Sequence, residues 1–157
     1  MGMDVYGKNP KSDKGSYFRA NVWYWHPLWN YCEHILPEIT SKVEYAHSND
    51  GDGLESVDAR KLGFALLKSL REGVAEKYIN SYITAVQNAP DEPCWCTSYL
   101  KEATVPFPKD PQPPKSSCTS CKGTGLMPNF VKNYFINIET ISDFSEFLLD
   151  CGGFQIC

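Results

Sequence analysis

What this chain has little of narrows its chemistry before any motif is considered. Its three histidines, His26, His34 and His47, all lie far in sequence from the paired cysteines. Each therefore reads as a core or surface histidine, not as part of a mixed Cys/His catalytic metal shell. Basic residues are outnumbered, 15 Lys and Arg against 19 Asp and Glu, for a net charge of -4. A broad grip on phosphate backbones needs clustered cations, so nucleic acid is disfavoured as a partner. No apolar run is long enough to span a bilayer, and the opening residues lack the basic, apolar, small-residue order of a signal peptide. A cytoplasmic protein without a membrane partner is expected. Gly2 invites N-myristoylation, but Tyr6 stands where that signal has Ser or Thr. The seven cysteines are an odd number, which in such a setting argues for metal ligation and free thiols over a disulfide framework.

What is present begins with length. A chain of 157 residues is expected to form a single domain, 1–157, with a core large enough to stand without staples. Four of its cysteines come in two close pairs, Cys94-Trp95-Cys96 and Cys118-Thr119-Ser120-Cys121. Two sulfurs from each of two tight turns are what a tetrahedral zinc ion requires, and four thiolates close its shell. Cys94, Cys96, Cys118 and Cys121 are the candidate ligands of a structural zinc. Between the pairs, Pro106, Pro108, Pro111, Pro113 and Pro114 exclude a regular helix and favour a stiff extended loop. Metal at its base would remove the entropy of closing it. Residues 90–128 thus read as a zinc-stabilised loop insertion within the domain.

Gly123 and Gly125, just after the second pair, let the backbone turn beneath the sulfurs and leave amides free to face thiolates. The run from Cys118 to Gly125 resembles the CxxCxGxG zinc motif of the DnaJ chaperones. That family repeats the motif, whereas here it occurs once and is partnered by Cys-Trp-Cys, and no His-Pro-Asp tripeptide is present. The resemblance implies zinc chemistry at Cys118 and Cys121 and no chaperone activity. A redox-active CxxC is the competing reading, but that chemistry usually sits at a helix start, which the flanking glycines do not suggest.

Periodicity supplies the rest. Met3 and Val5 alternate with polar neighbours in a short strand ending at Gly7, and 7–16 reads as an exposed loop. Pro27 suits a first helical position, predicting a helix over 27–36, with Ile39, Val43 and Ala46 continuing beyond Pro37. Leu62, Leu66, Leu70, Val74, Tyr78, Tyr82 and Val86 recur every fourth residue, predicting a long amphipathic scaffold capped at Ser56 or Asp58 and breaking near Gly73. Phe130 to Ile138 fits a helical face or, from Tyr134, a strand. Ser142 reads as the cap of a last helix, and Phe154 and Ile156 as a strand able to pair with the N-terminal one. The fold class is mainly α within α+β: a helical scaffold, a short strand pair from the two termini, and a zinc-clamped proline-rich loop.

Two stretches offer a partner surface. The aromatic segment 17–31 contains Trp23, Trp25, His26 and Trp29; it reads as core, with a recognition groove as the functional alternative. The loop 48–55 holds Asp50 and Asp52 but has Ala59 at the twelfth position of a calcium loop, so a turn before the next helix is the better reading. The opening MGMDVYGKNP, the WYWHPLW run and the terminal CGGFQIC are similar to a family of small bacterial and bacteriophage proteins. That resemblance implies a bacterial or phage-infected cell and no activity. The leading expectation is a small zinc-binding protein that engages a protein or small-molecule ligand. The alternative is a small enzyme with a site near 17–31 and 49–52, for which no nucleophile, base and orienting group can be named.

Overall fold

Alternating burial along β1 (Gly2–Gly7), with Met3 and Val5 turned inward, makes it the centre of a three-stranded antiparallel sheet. The computed structural model that carries this sheet describes residues 2–97 and 118–157. The prolines between the cysteine pairs, and the extended loop expected of them, lie outside the described residues. β2 (Tyr17–Asn21) pairs with one edge of β1, Val5 opposite Phe18 and Met3 opposite Ala20. β5 (Phe154–Ile156) pairs with the other, Val5 opposite Ile156, so the two terminal segments meet as their alternation predicts. Between β1 and β2 the exposed stretch contains one short helix, α1 (Asp13–Ser16), capped by the Ser12 hydroxyl.

The helix expected from Pro27 starts a turn and a half earlier. α2 (Val22–Ile35) is capped by Asn21, whose side-chain oxygen accepts the Tyr24 N–H at 3.2 Å, and Pro27 lies inside it. A proline within a helix leaves the carbonyl four residues back without its donor. Here that carbonyl is Trp23, and it accepts the N–H of Phe135 at 2.9 Å instead. α3 (Pro37–Thr40) follows, with Ile39 buried within it and Val43 and Ala46 buried beyond it.

The periodic scaffold divides as its glycine suggests, into α4 (Ser56–Arg71) and α5 (Val74–Gln87), with Gly73 between them at φ +70°. α4 takes Glu55 as its N-cap without a side-chain hydrogen bond, in place of Ser56 or Asp58. Among the described residues, chain neighbours aside, no atom lies within 4 Å of where a Gly73 Cβ would sit, so Gly73→Ala meets only the cost of a left-handed conformation. The expected loss is about 1–2 kcal/mol in urea unfolding, with an unchanged denaturant slope.

The last helix is also longer than expected. α6 (Ile138–Asp150) begins after Asn137, whose side chain accepts the Thr140 N–H at 2.8 Å, so Ser142 lies within the helix and is not its cap. Residues 130–138 form neither one helical face nor a strand: a 3-10 turn, Phe130–Asn133, precedes four residues without regular structure.

The chain separates into two compact units, Met1–Thr84 with Asn133–Cys157, and Ala85–Lys132. In the first, α6 packs along α4 and the sheet, around a core whose largest fully buried side chains include Trp25, Trp29, Tyr31, Phe144, Phe147 and Phe154. The second unit is built on a two-stranded ladder of β3 (Glu92–Pro93) and β4 (Leu126–Met127).

Candidate metal centre

The ladder sets the site. Pairing of Pro93 with Leu126 is extended by the Cys94 N–H, which donates to the Gly125 carbonyl at 2.8 Å. That places Cys-Trp-Cys beside the second cysteine turn. The Thr97 N–H and hydroxyl both donate to the Cys94 carbonyl at 2.8 Å, curling the first turn. In the second, the Lys122 and Thr124 amides donate to the carbonyls of Cys118 and Cys121 at 2.8 and 3.0 Å. Lys122, Gly123 and Gly125 have φ of +51°, +86° and +77°. Two of the three are glycine, the residue for which that conformation is free of strain.

The result is four sulfurs converging on one point. Cys94 and Cys118 Sγ lie 3.8 Å apart and Cys96 and Cys121 Sγ 3.6 Å. All four ligand atoms lie within 4.8 Å of one another. A tetrahedral ion at the usual metal–sulfur distance of about 2.3 Å separates its ligands by about 3.8 Å. The spacing therefore suits a metal ion, and it is well beyond the roughly 2.05 Å of a disulfide. The cluster can hold a metal.

Local electrostatics favour thiolates on one side of the cluster. The Cys121 amide, and with it that of Ser120, lowers the pKa of Cys118 against the opposing effect of burial. Burial raises that of Cys121, but the Gly125 and Gly123 amides outweigh it and leave the thiol below its ordinary value. Burial pushes Cys94 up. Four sulfurs this close cannot all carry charge without a cation among them, so the cluster holds four thiolates only around a metal. The four cysteines are the buried apolar cluster of this unit among the described residues, and the partly buried Met127 packs against them. Trp95 is 66% exposed, and its indole N–H reaches Ser120 Oγ at 3.3 Å, tying the two turns together outside the sulfurs.

The other candidate residues do not assemble into one site. Trp25 and Trp29 are fully buried and belong to the core, not to a surface. Trp23 is half-buried, with its ring against the edge of Tyr134. Asp50 is exposed. Asp52 is occupied locally: its carboxylate accepts the Tyr45 and Gly53 amides, each at 2.8 Å, which makes it a turn-building residue. His26 stacks on the imidazole of His47, ring centroids 4.3 Å apart and planes at 14°, with Tyr134 edge-on at 5.7 Å. That pairing of two histidines from separate segments had no signal in the sequence. Of the remaining cysteines, Cys32 and Cys151 are buried and Cys157 is exposed, all as free thiols. Burial raises the pKa of Cys32 and of Cys151, which keeps both as neutral thiols.

The stacked pair has a pH consequence. Burial lowers the pKa of His26 and of His47 below the ordinary 6.5, and in His47 the charge of its neighbour adds to the effect. The unfolded chain then binds protons more readily, so this contribution is fully present above about pH 6.5 and is lost as pH falls below it. Thermal midpoints measured from pH 7.5 to 5.5 are expected to decline on the acid side, and His47→Gln is expected to flatten that decline.

Comparison of the chain with models of known families, with curated proteins and with solved structures finds no match.

Proposed function

We propose that the protein is a small zinc-binding protein in which one Zn²⁺, held by Cys94, Cys96, Cys118 and Cys121, fastens the unit 85–132. In this reading it works as a binding module for a protein or small-molecule ligand. The observation that carries the reading is the convergence of four buried sulfurs at tetrahedral spacing. A sulfur-only tetrahedral set selects zinc or iron, and four protein ligands leave no open position for a substrate. The ion is accordingly structural. His26 meets a second imidazole and Asp52 meets amides, so no observation favours a catalytic site at 17–31 and 49–52. A bacterial or phage-infected cell as the setting rests on the resemblance of MGMDVYGKNP, WYWHPLW and CGGFQIC. Among the described residues, no helix is long and apolar enough to cross a membrane.

Elemental analysis of purified protein tests the metal reading. About one equivalent of zinc in a colourless protein is expected, because a closed thiolate site holds its ion through purification. Less than about half an equivalent of any metal with four freely titrating thiols, or an equivalent of iron with a coloured thiolate spectrum, overturns it.

A further inference from the structure

The three-stranded sheet treats its two edges differently. Beyond β5 the segment 51–55 covers the edge: the Gly51 amide donates to Ile156, the Ile156 amide to Asp52 and the Phe154 amide to Leu54, at 2.8, 2.8 and 2.9 Å, and Glu55 bridges Gly153. Beyond β2 no strand follows among the described residues. The register identifies the groups left there. Cys157 donates to the Asp4 carbonyl at 2.7 Å, so Asp4 and Tyr6 direct their backbone groups toward β5, and Met3 and Val5 toward β2. Ala20 and Phe18 answer Met3 and Val5. The N–H and C=O of Arg19 therefore point away from the sheet, and no backbone partner meets them among the described residues.

Alongside this edge runs a cavity of about 310 Å³, lined by Phe18, Arg19, Ala20 and Asn21 of the strand, by Tyr24, and by Asn137, Thr140 and Asp143 on its far wall. We propose that β2 accepts an extended peptide of a partner protein as a fourth, antiparallel strand, with an acidic residue opposite Arg19 and apolar residues on either side of it. Main-chain bonds to the outward Arg19 N–H and C=O would give the affinity, and alternate side chains the selectivity. Residues facing each other across an antiparallel pair share a face. Those opposite Phe18 and Ala20 turn inward, against Phe18 and Tyr24, where Asp143 excludes an acid. The residue opposite Arg19 turns outward. Arg19 is held by Asp4 through Nε at 3.5 Å, its side chain 64% exposed. Asp4 is also engaged by the Tyr17 hydroxyl, so the outer ends of the guanidinium remain for a second carboxylate. Two Arg19 side chains would oppose each other if two copies paired through β2 about that residue, which favours a foreign strand over self-association.

The proposal concerns the unit that does not contain the metal cluster, and its failure leaves the zinc reading intact; metal content is measured on the same sample to keep the two apart. The probe is a fluorescein-labelled, blocked Thr-Val-Glu-Val-Thr peptide added to the full-length protein and followed by anisotropy. Saturable binding is expected, weakened at least about 10-fold when the Glu nitrogen is methylated, since that removes the donor to the Arg19 carbonyl. Arg19→Glu, checked for an unchanged thermal midpoint, is expected to reverse the preference toward the same peptide with Lys in place of Glu. Absence of saturation up to about 1 mM overturns the proposal. Equal binding of the methylated peptide does so as well, as does a dimer in sedimentation that the peptide does not dissociate. The methylated peptide needs no variant, so a folding defect in Arg19→Glu leaves the test standing.

Discussion

Cys118→Ser is expected to unfasten residues 85–132 while leaving the rest of the fold in place. The reason lies in what that unit is made of. Its buried cluster among the described residues is Cys94, Cys96, Cys118 and Cys121, with only the partly buried Met127 packed against it, and its ladder pairs only two residues with two. A two-stranded ladder of that length is marginal in water, so with the proposed metal in place its binding free energy would be largely the folding free energy of the unit. For thiolate zinc sites it amounts to about 10–16 kcal/mol near neutral pH. Residues that merely orient a metal ligand cost 10–100-fold in affinity when replaced, so losing Cys118 itself should cost more than about 100-fold. After dialysis against a competing chelator, wild-type protein is expected to keep close to one metal per chain and Cys118→Ser close to none. Limited proteolysis should then cut within 88–132. Far-UV circular dichroism should lose little, because α2, α4 and α6 pack on one another through Trp25, Leu62, Leu66, Phe144 and Leu148 without any sulfur of the cluster. Global unfolding of the variant, or retention of its metal and its resistance to protease, would contradict this account.

The same division explains what could be read in advance. The apolar stripe of α4 was legible because a 3.6-residue period shows in one stretch of sequence, and its break because Gly73 supplies a conformation other residues avoid. Past the break the register shifts, so that Val74 is exposed and Ala75 and Ile79 are the buried residues of α5. The cysteine cluster was legible for a similar reason, as each half is a local turn with its own spacing. The start of α2 was not. Pro27 has a local preference for a first helical position, but the carbonyl it leaves unpaired is satisfied by Phe135, a residue more than a hundred positions away. β2 was hidden by composition, because Tyr17 and Phe18 run on into Trp23 and Trp25 without an interruption that separates strand from helix. Only the Asn21 cap marks that boundary. Asn137 likewise begins α6 earlier than Ser142, which is an equally good cap by residue type. The His26–His47 stack and the open edge of β2 depend on pairings across the fold, and no window of sequence contains them.

Trp25 and Trp29 stack on each other in the core, ring centroids 5.7 Å apart, and both are fully buried, yet phenylalanine is expected to cost far more at one than at the other. The Trp25 indole N–H donates to the Ala46 carbonyl at 2.7 Å, in a buried position. The Trp29 indole nitrogen is buried without a hydrogen-bond partner among the described residues. Each substitution removes a similar volume and leaves a similar cavity, so that part of the cost is shared. The polar parts have opposite sign. Trp25→Phe strands the Ala46 carbonyl, at about 1–3 kcal/mol, whereas Trp29→Phe removes an indole N–H that already bears a penalty of that size. A gap of about 2 kcal/mol or more is expected between the two variants in urea unfolding, followed by circular dichroism at fixed zinc concentration. Trp25→Ala sets the scale at roughly 3–5 kcal/mol or somewhat above, since it adds the lost bond to the cavity. Trp25 also meets Phe144 edge-on at 5.6 Å, and through Ala46 it anchors the segment that carries His47. Trp25→Phe is therefore expected to increase amide hydrogen exchange over 45–53, and Trp29→Phe to leave it unchanged. Equal costs for the two phenylalanine variants would mean that the Ala46 bond contributes nothing, and the segment would then be held by its other contacts, Asp52, the β5 edge and the His47 stack among them.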